Sequence, residues 1–321
     1  MQLVINTYGA YIHVKDDVFE LKVNSEKRHI SPKKIKSILV TTGAAFSSDA
    51  VKLAVENNID ILFIDQHGDP FGRIWHDRLG STARIRQKQL ELSKSEQGVR
   101  VGIDFIITKF NNQIDWLSDM RKKRTRLSPE ITSVISYINE SLIKLKMVSF
   151  QDDFRGTVMG IEGSAARQYW SVLSKMVPER FKFKGRSRNP SLDEFNCLLN
   201  YAYGVLYGIV ERSCVLAGVD PYVGFIHTDH YAKTSMVFDV IEGYRIFAEQ
   251  TVMKLFSGKK VSSKLFDPFR KGMTLNKDGK IVLLTEFNEF LDTPLKYKGR
   301  MIKRRDTIQF DLHQLANSWI K

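Results

Sequence analysis

The sequence predicts an α+β fold: a small N-terminal β-rich domain followed by a larger, mostly α-helical domain. Up to Trp75, apolar and β-branched residues alternate or run in short blocks, the pattern of strands. From Arg84 they recur every three or four residues, the pattern of amphipathic helices. The length, 321 residues, is enough for two units that each bury a core. The expected boundaries are 1–78 for the β-domain, 79–90 for a linker and 91–321 for the helical domain.

In chain order, LVINTYGAYIHVKDDVFELKV reads as a meander with turns at Gly9 and Asp16-Asp17, and KIKSILVTT as a strand after Pro32. Ser47 or Ser48 is placed to cap a helix over SSDAVKLAVENN. IDILFID is almost wholly apolar, hence a buried strand, and QHGDPFGRIW turns into one more. RIRQKQLELS, VRVGIDFIITKFNNQIDWLSDMRK, ITSVISYINESLIKLK and the stretch around GIEGSAARQYW read as helices. Ser191 with Glu194 three residues on has the layout of a capping box for the next helix. Asp278-Gly279 is a hairpin signal, so a β-excursion is expected near 274–285, with EFNEFLDTPLKYKG and RRDTIQFDLHQLANSWIK closing the chain as helices.

Charge narrows the function classes. A formal net charge of +13 favours an anionic polymer as partner, because each Lys or Arg at a phosphate releases bound counterions. RKKRTR (121–126) and FKFKGRSR (181–188) are the basic runs, each readable as a solvated loop or as a phosphate contact. Cys197 and Cys214 form neither a CxxC pair nor a zinc spacing. The first residues lack the layout of a signal peptide and no apolar run reaches membrane-spanning length, so a cytoplasmic protein is expected.

The chemistry gathers in GFIHTDHYAKTSMVFDVIEGYR (224–245). His227 stands at a loop-to-helix junction, and Asp239, Glu242 and Arg245 follow at three-residue intervals, one face of a helix. An imidazole with carboxylates suits Mg²⁺ or Mn²⁺, ions that favour oxygen ligands. A lone histidine is more often structural, and the two acids read equally as a solvated face. Arg245 beside them tips the reading toward charge stabilisation on a phosphoryl group. His230 could share the site or only cap a loop. Upstream, Glu162 sits among Gly160, Gly163, Ser164 and Ala165, small residues that suggest deep packing, where a carboxylate needs a metal or a partner such as Arg167.

With these residues in view, the chain resembles the CRISPR-associated protein one family, the universal integrase of CRISPR adaptation, over nearly its full length. The resemblance rests on ILVTTGAAFSSDAVKLAVENNIDILFIDQHG, RIRQ, ITKFNNQ, GIEGSAARQYW, RSRNPSLDEFNCLLNYAYGVLY and PYVGFIH with SMVFDVIEGYR, in that order. It implies that Glu162, His227 and Glu242 are ligands to Mg²⁺ or Mn²⁺, with Asp239 a supporting acid and Arg245 a neighbouring cation. It further implies a metal-dependent endonuclease and integrase that joins 3′-OH ends of spacer DNA to the CRISPR repeat by transesterification. The implied assembly is a homodimer formed through the β-domains, two of which hold a dimer of a small ferredoxin-like CRISPR-associated partner. A stand-alone nuclease of branched or single-stranded DNA and a non-catalytic DNA-binding scaffold are the competing readings. Relatives commonly carry a proline after the arginine of the acidic motif, where this chain has Ile246.

Overall fold

The computed structural model describes residues 1–75, 82–150, 153–227 and 233–320. Its first part holds strands β1 (Gln2–Ile5), β2 (Ala10–Lys15), β3 (Val18–Val23), β4 (Glu26–Ile30), β5 (Ser37–Val40) and β6 (Ala44–Phe46). Helix α1 (Ser48–Glu56) and strands β7 (Asp60–Ile64) and β8 (Pro70–Ile74) follow. The expected meander is only part of the arrangement. β2, β3 and β4 do run antiparallel, with β6 added parallel to β2, but β1, β5, β7 and β8 form a second sheet with parallel pairing at β1–β5–β7.

The second sheet is covered on both faces, which is why Ile61, Leu62, Phe63 and Ile64 form an unbroken apolar run in IDILFID. Ile38, Val40, Ile59 and Ile61 join Ala10, Ile12, Phe19 and the α1 residues Ala50 and Ala54 in one core. The alternate residues Leu39, Leu62 and Ile64 point the other way, into the core of the helical part. Ser47 is the N-cap of α1, its side chain accepting from Ala50 N.

Helices α2 (Ala83–Leu92), α3 (Glu96–Lys123), α4 (Ser128–Lys146), α5 (Phe154–Met176), α6 (Glu194–Leu216), α7 (Ser235–Glu242) and α8 (Arg245–Ser257) build the second part. Most of the linker expected at 79–90 is therefore helical from Ala83 on. α6 is buried on nearly every side, the mark of a central helix. Its cap is Asp193, which accepts from Asn196 N at 2.8 Å, and not Ser191. Ser191 is instead buried and accepts from Asn200 Nδ2.

The end of the chain departs from expectation twice. The hairpin starts upstream of 274–285 and overlaps it only at Thr274 and Leu275, as β9 (Phe266–Phe269) and β10 (Gly272–Leu275), turning at Arg270 with φ 52°. Asp278-Gly279 falls in the first turn of helix α9 (Lys277–Asp292), because Asn276 caps it by accepting from Gly279 N at 3.0 Å. A second hairpin, β11 (Pro294–Tyr297) and β12 (Arg300–Lys303), interrupts the expected helix. Lys298 and Gly299 both have positive φ there, the requirement of a two-residue type I′ turn. Helix α10 (Arg304–Trp319) follows. Among the described residues no helix is long and apolar enough to cross a membrane.

The β-rich part meets α6 backbone to backbone. A Cβ on Gly204 would lie 1.7 Å from the carbonyl oxygen of Gly68, and Gly68 itself has φ 89°. Gly204→Ala should cost about 1–3 kcal/mol through overpacking, with a loss of urea-unfolding midpoint and little change in slope. An unaltered midpoint would mean that the two parts do not pack this closely.

Candidate active site

Lys109 of α3, a residue that neither spacing nor resemblance singles out, is the hub of the site. Its Nζ donates to Glu162 of α5 and, at 2.7 Å, to Oε2 of Glu242 of α7. The other oxygen of Glu242 accepts from Arg245 Nε at 2.7 Å. Burial alone would raise the Glu242 carboxyl, but the adjacent Arg245 and Lys109 outweigh it and hold the group down at about 2. The same two carboxylates raise Lys109 against a burial that would lower it. At neutral pH Glu242, Lys109 and Arg245 are therefore charged.

Asp239, three residues before Glu242, faces a different partner. Its Oδ2 accepts from the backbone N–H groups of Phe225 and Ile226, and its Oδ1 from His227 N at 3.0 Å and from His227 Nδ1 at 2.6 Å. A carboxylate only accepts, so His227 carries its hydrogen on Nδ1 and directs Nε2 away from Asp239. Asp239 thus fixes the loop and the imidazole together. Its start is fixed too, by Gln89 of α2, whose side chain bonds Asp220 O, Val223 O and Asp220 N.

The expectation that one continuous helix runs from Asp239 past Arg245 needs correction. α7 ends at Glu242 and α8 begins at Arg245, with Gly243 and Tyr244 between them. Asn112 of α3 holds the break by donating to Gly243 O at 2.8 Å. Arg245 lies over the ring of Tyr203, 4.7 Å from its centroid. The Tyr203 hydroxyl donates to Glu249, a buried carboxylate that Tyr169 also reaches and that burial pushes up in pKa.

The deep packing expected of the small residues flanking Glu162 holds for Ala165, which is buried in the main core, but not for the two glycines. A Cβ at Gly160 or Gly163 would meet nothing within 4 Å, so these glycines leave approach room beside the carboxylate. Arg167 bonds Ser164 rather than Glu162. His230 lies outside the described residues.

The structure brings together Glu162, Glu242 and Arg245 around Lys109, and separately pairs His227 with Asp239. Among the described residues no three His, Cys, Asp or Glu side chains form a group that could hold a metal. The donor chemistry nevertheless fits a divalent ion. Two carboxylates converge on one positive charge, and the His227 imidazole gives its Nδ1–H to a carboxylate as metal-bound histidines do. Lys109 signals itself in sequence, as a charged residue in the buried stripe Ile103, Ile106, Phe110 and Gln113.

A family model described as CRISPR associated protein Cas1 matches residues 3–289. A CRISPR-associated endonuclease Cas1 of Archaeoglobus fulgidus is 30% identical, over 97% of this chain and 96% of its own. Among solved structures, a casposase bound to integration product superposes with a TM-score of 0.87 at 23% identity, covering 99% of this chain and 90% of that one. A chain of a Cas6-RT-Cas1–Cas2 complex gives 0.81 at 19% identity, covering all of this chain and 35% of that one. These two likenesses establish the fold, and the family match is independent of them. The chain belongs to the Cas1 family of CRISPR-associated proteins.

Proposed function

We propose that this chain is a divalent-metal-dependent DNA endonuclease and integrase of CRISPR adaptation, joining 3′-OH ends of spacer DNA to the CRISPR repeat. One observation carries the reading: Glu162 and Glu242, delivered by separate helices, converge on a single buried cation with Arg245 alongside. The endonuclease name of the Archaeoglobus relative and the integration product held by the casposase support the same chemistry. A Cas1–Cas2 assembly among the fold neighbours supports a Cas2 partner, which the proposed assembly takes as small and ferredoxin-like beside a homodimer of this chain.

Glu162, His227 and Glu242 would hold Mg²⁺ or Mn²⁺. When bound, the ion supplies Lewis-acid stabilisation of the scissile phosphate and acidifies the attacking hydroxyl. The chain's own residues do the rest. Asp239 keeps the His227 ring in one tautomer and orientation. Arg245 offers a guanidinium to charge developing on the phosphoryl oxygens. The open space beside Gly160 and Gly163 admits the backbone of a strand. In the reaction the incoming 3′-oxygen forms a P–O bond as the repeat strand's 3′-oxygen leaves in line with its electron pair and takes up a proton. The number of diester bonds is unchanged, so no external energy source is needed. Water in place of the 3′-OH gives cleavage.

The direct test is transfer of a labelled duplex with 3′-OH ends into supercoiled plasmid carrying a repeat array, with Mn²⁺ and the small partner present. EDTA should abolish joining, and Glu162→Ala or His227→Ala should reduce it at least about a hundredfold. Cleavage without joining would replace the integrase by a stand-alone nuclease, and activity surviving both substitutions would remove the site. A second prediction uses stability. Lys109→Met leaves two carboxylates without their shared cation and should destabilise the metal-free protein by about 3–5 kcal/mol. Mn²⁺ should recover much of that loss in a thermal melt, and more than it stabilises wild type; a melt indifferent to Mn²⁺ would exclude the carboxylates as ligands.

A further inference from the structure

A cleft of about 860 Å³ opens beside the site, between β8, the loop over 185–191, α6 and the α7–α8 junction. Four arginines line it, and three have carboxylate partners. Arg73 pairs with Asp60 and Glu211, Arg188 with Asp69 at 3.0 Å, and Arg245 with Glu242. Arg186 is the exception: among the described residues no carboxylate forms an ion pair with it. Its two terminal nitrogens donate instead to the side-chain oxygens of Asn196 and Asn200, the latter at 2.6 Å, and its guanidinium lies over the rings of Trp170 and Tyr203 at 5.3 and 5.5 Å.

This arrangement orients a charge without neutralising it. Asn196 and Asn200 are one turn apart on α6, and each amide is itself fixed. Asn196 Nδ2 donates to Gly185 O and Asp193, and Asn200 Nδ2 to Ser187 O and Ser191 Oγ. The fork of Arg186 is therefore rigid. It uses two of its five N–H donors on the asparagines. The nearest acids are engaged elsewhere: Asp193 caps α6, and Glu249 accepts from two tyrosine hydroxyls. Burial pulls the Arg186 pKa down from its ordinary value, as expected for a cation that the fold dehydrates without supplying a counter-ion. A planar, weakly hydrated fork with donors to spare matches the oxygens of a phosphate, and Tyr203 places it next to Arg245 because both guanidiniums contact that ring.

We infer that Arg186 anchors a phosphate subsite in this cleft, binding a backbone phosphodiester of the DNA strand whose neighbouring phosphate lies at the carboxylates. The inference rests on the DNA reading above and adds to it a particular contact at a particular place on the strand.

The test is binding rather than turnover. Full-length protein is titrated in EDTA against a fluorescent single-stranded oligonucleotide, and against a series in which one phosphate at a time is replaced by an uncharged methylphosphonate. Wild type should lose roughly tenfold in affinity at one position, or two adjacent ones, of the series. Arg186→Gln should bind the unmodified strand roughly tenfold more weakly, be indifferent to the same replacement, and show a log–log salt slope shallower by about 0.7. Arg186→Lys keeps the charge and loses the fork, so it should retain the slope and lose most of the position dependence; it also guards against an Arg186→Gln variant that fails to fold. A position-dependent loss that persists undiminished in both variants would overturn the subsite while leaving the DNA reading intact. Failure of wild type to bind any oligonucleotide would overturn both.

Discussion

The site depends on one buried ammonium. Lys109, Glu162, Glu242 and Arg245 come from α3, α5, α7 and α8, and their formal charges cancel. Carboxylates brought this close in a low-dielectric interior would otherwise repel or take up protons, and Glu242 would be driven up by burial. The lysine helps to keep Glu242 ionised and ties three long-separated segments of chain to one point. Such a cluster is a poor source of net stability, since desolvation offsets most of the attraction. It is a strong constraint on geometry, because each charge has only one place where it is compensated. On the proposed reading, a divalent ion arriving at a neutral cluster adds positive charge that an incoming phosphate can balance, so metal and DNA should favour each other's binding.

The scaffold serves this point from both directions. The second sheet is apolar on both faces, so it can carry the first sheet on one side and seat α6 on the other. Close approach of Gly68 and Gly204 seats α6 against the β-rich part, and Gly204 itself lines the cleft. The interruption at Gly243-Tyr244 separates α7 from α8, and Asn112 occupies the carbonyl that the break releases. α7 can then aim Glu242 at Lys109 while α8 lays Arg245 on Tyr203 and buries Glu249 behind it.

Much of this was legible in the residues. The switch in periodicity near Arg84 located the change from strands to helices, and Ser47 announced a real cap. His227, Asp239, Glu242 and Arg245 drew notice by spacing. What spacing concealed was direction: Asp239 and Glu242 are three apart on one helix, yet one faces a loop and the other a lysine. Local signals also competed. Asp278-Gly279 suits a type I′ turn, but the same residues suit a first helical turn when Asn276 precedes them, and the upstream pairing of β9 with β10 left the helix as the outcome. Lys298-Gly299 was the true turn signal, hidden because the helical pattern on either side was stronger. Lys109 could have been found as a charge within an apolar stripe, although no local pattern names its partners, which are 53 and 133 residues away.

The choice between Asp239 and Glu242 as the acid that meets a cation turns on lone pairs. A carboxylate has about four acceptor positions. Asp239 receives three backbone N–H groups and the His227 Nδ1–H, so its capacity is spent on holding the loop. Among the described residues Glu242 accepts from no backbone donor; its oxygens meet Lys109 and Arg245, both side-chain cations. Exchanging a side-chain ammonium for a metal ion at Glu242 requires a rotamer change at Lys109. Freeing an oxygen of Asp239 would require the backbone at Phe225–His227 to give up its acceptor, and with it the orientation of the imidazole. The acid that is cheaper to release is the one suited to bind, and the acid that is costly to release is suited to position.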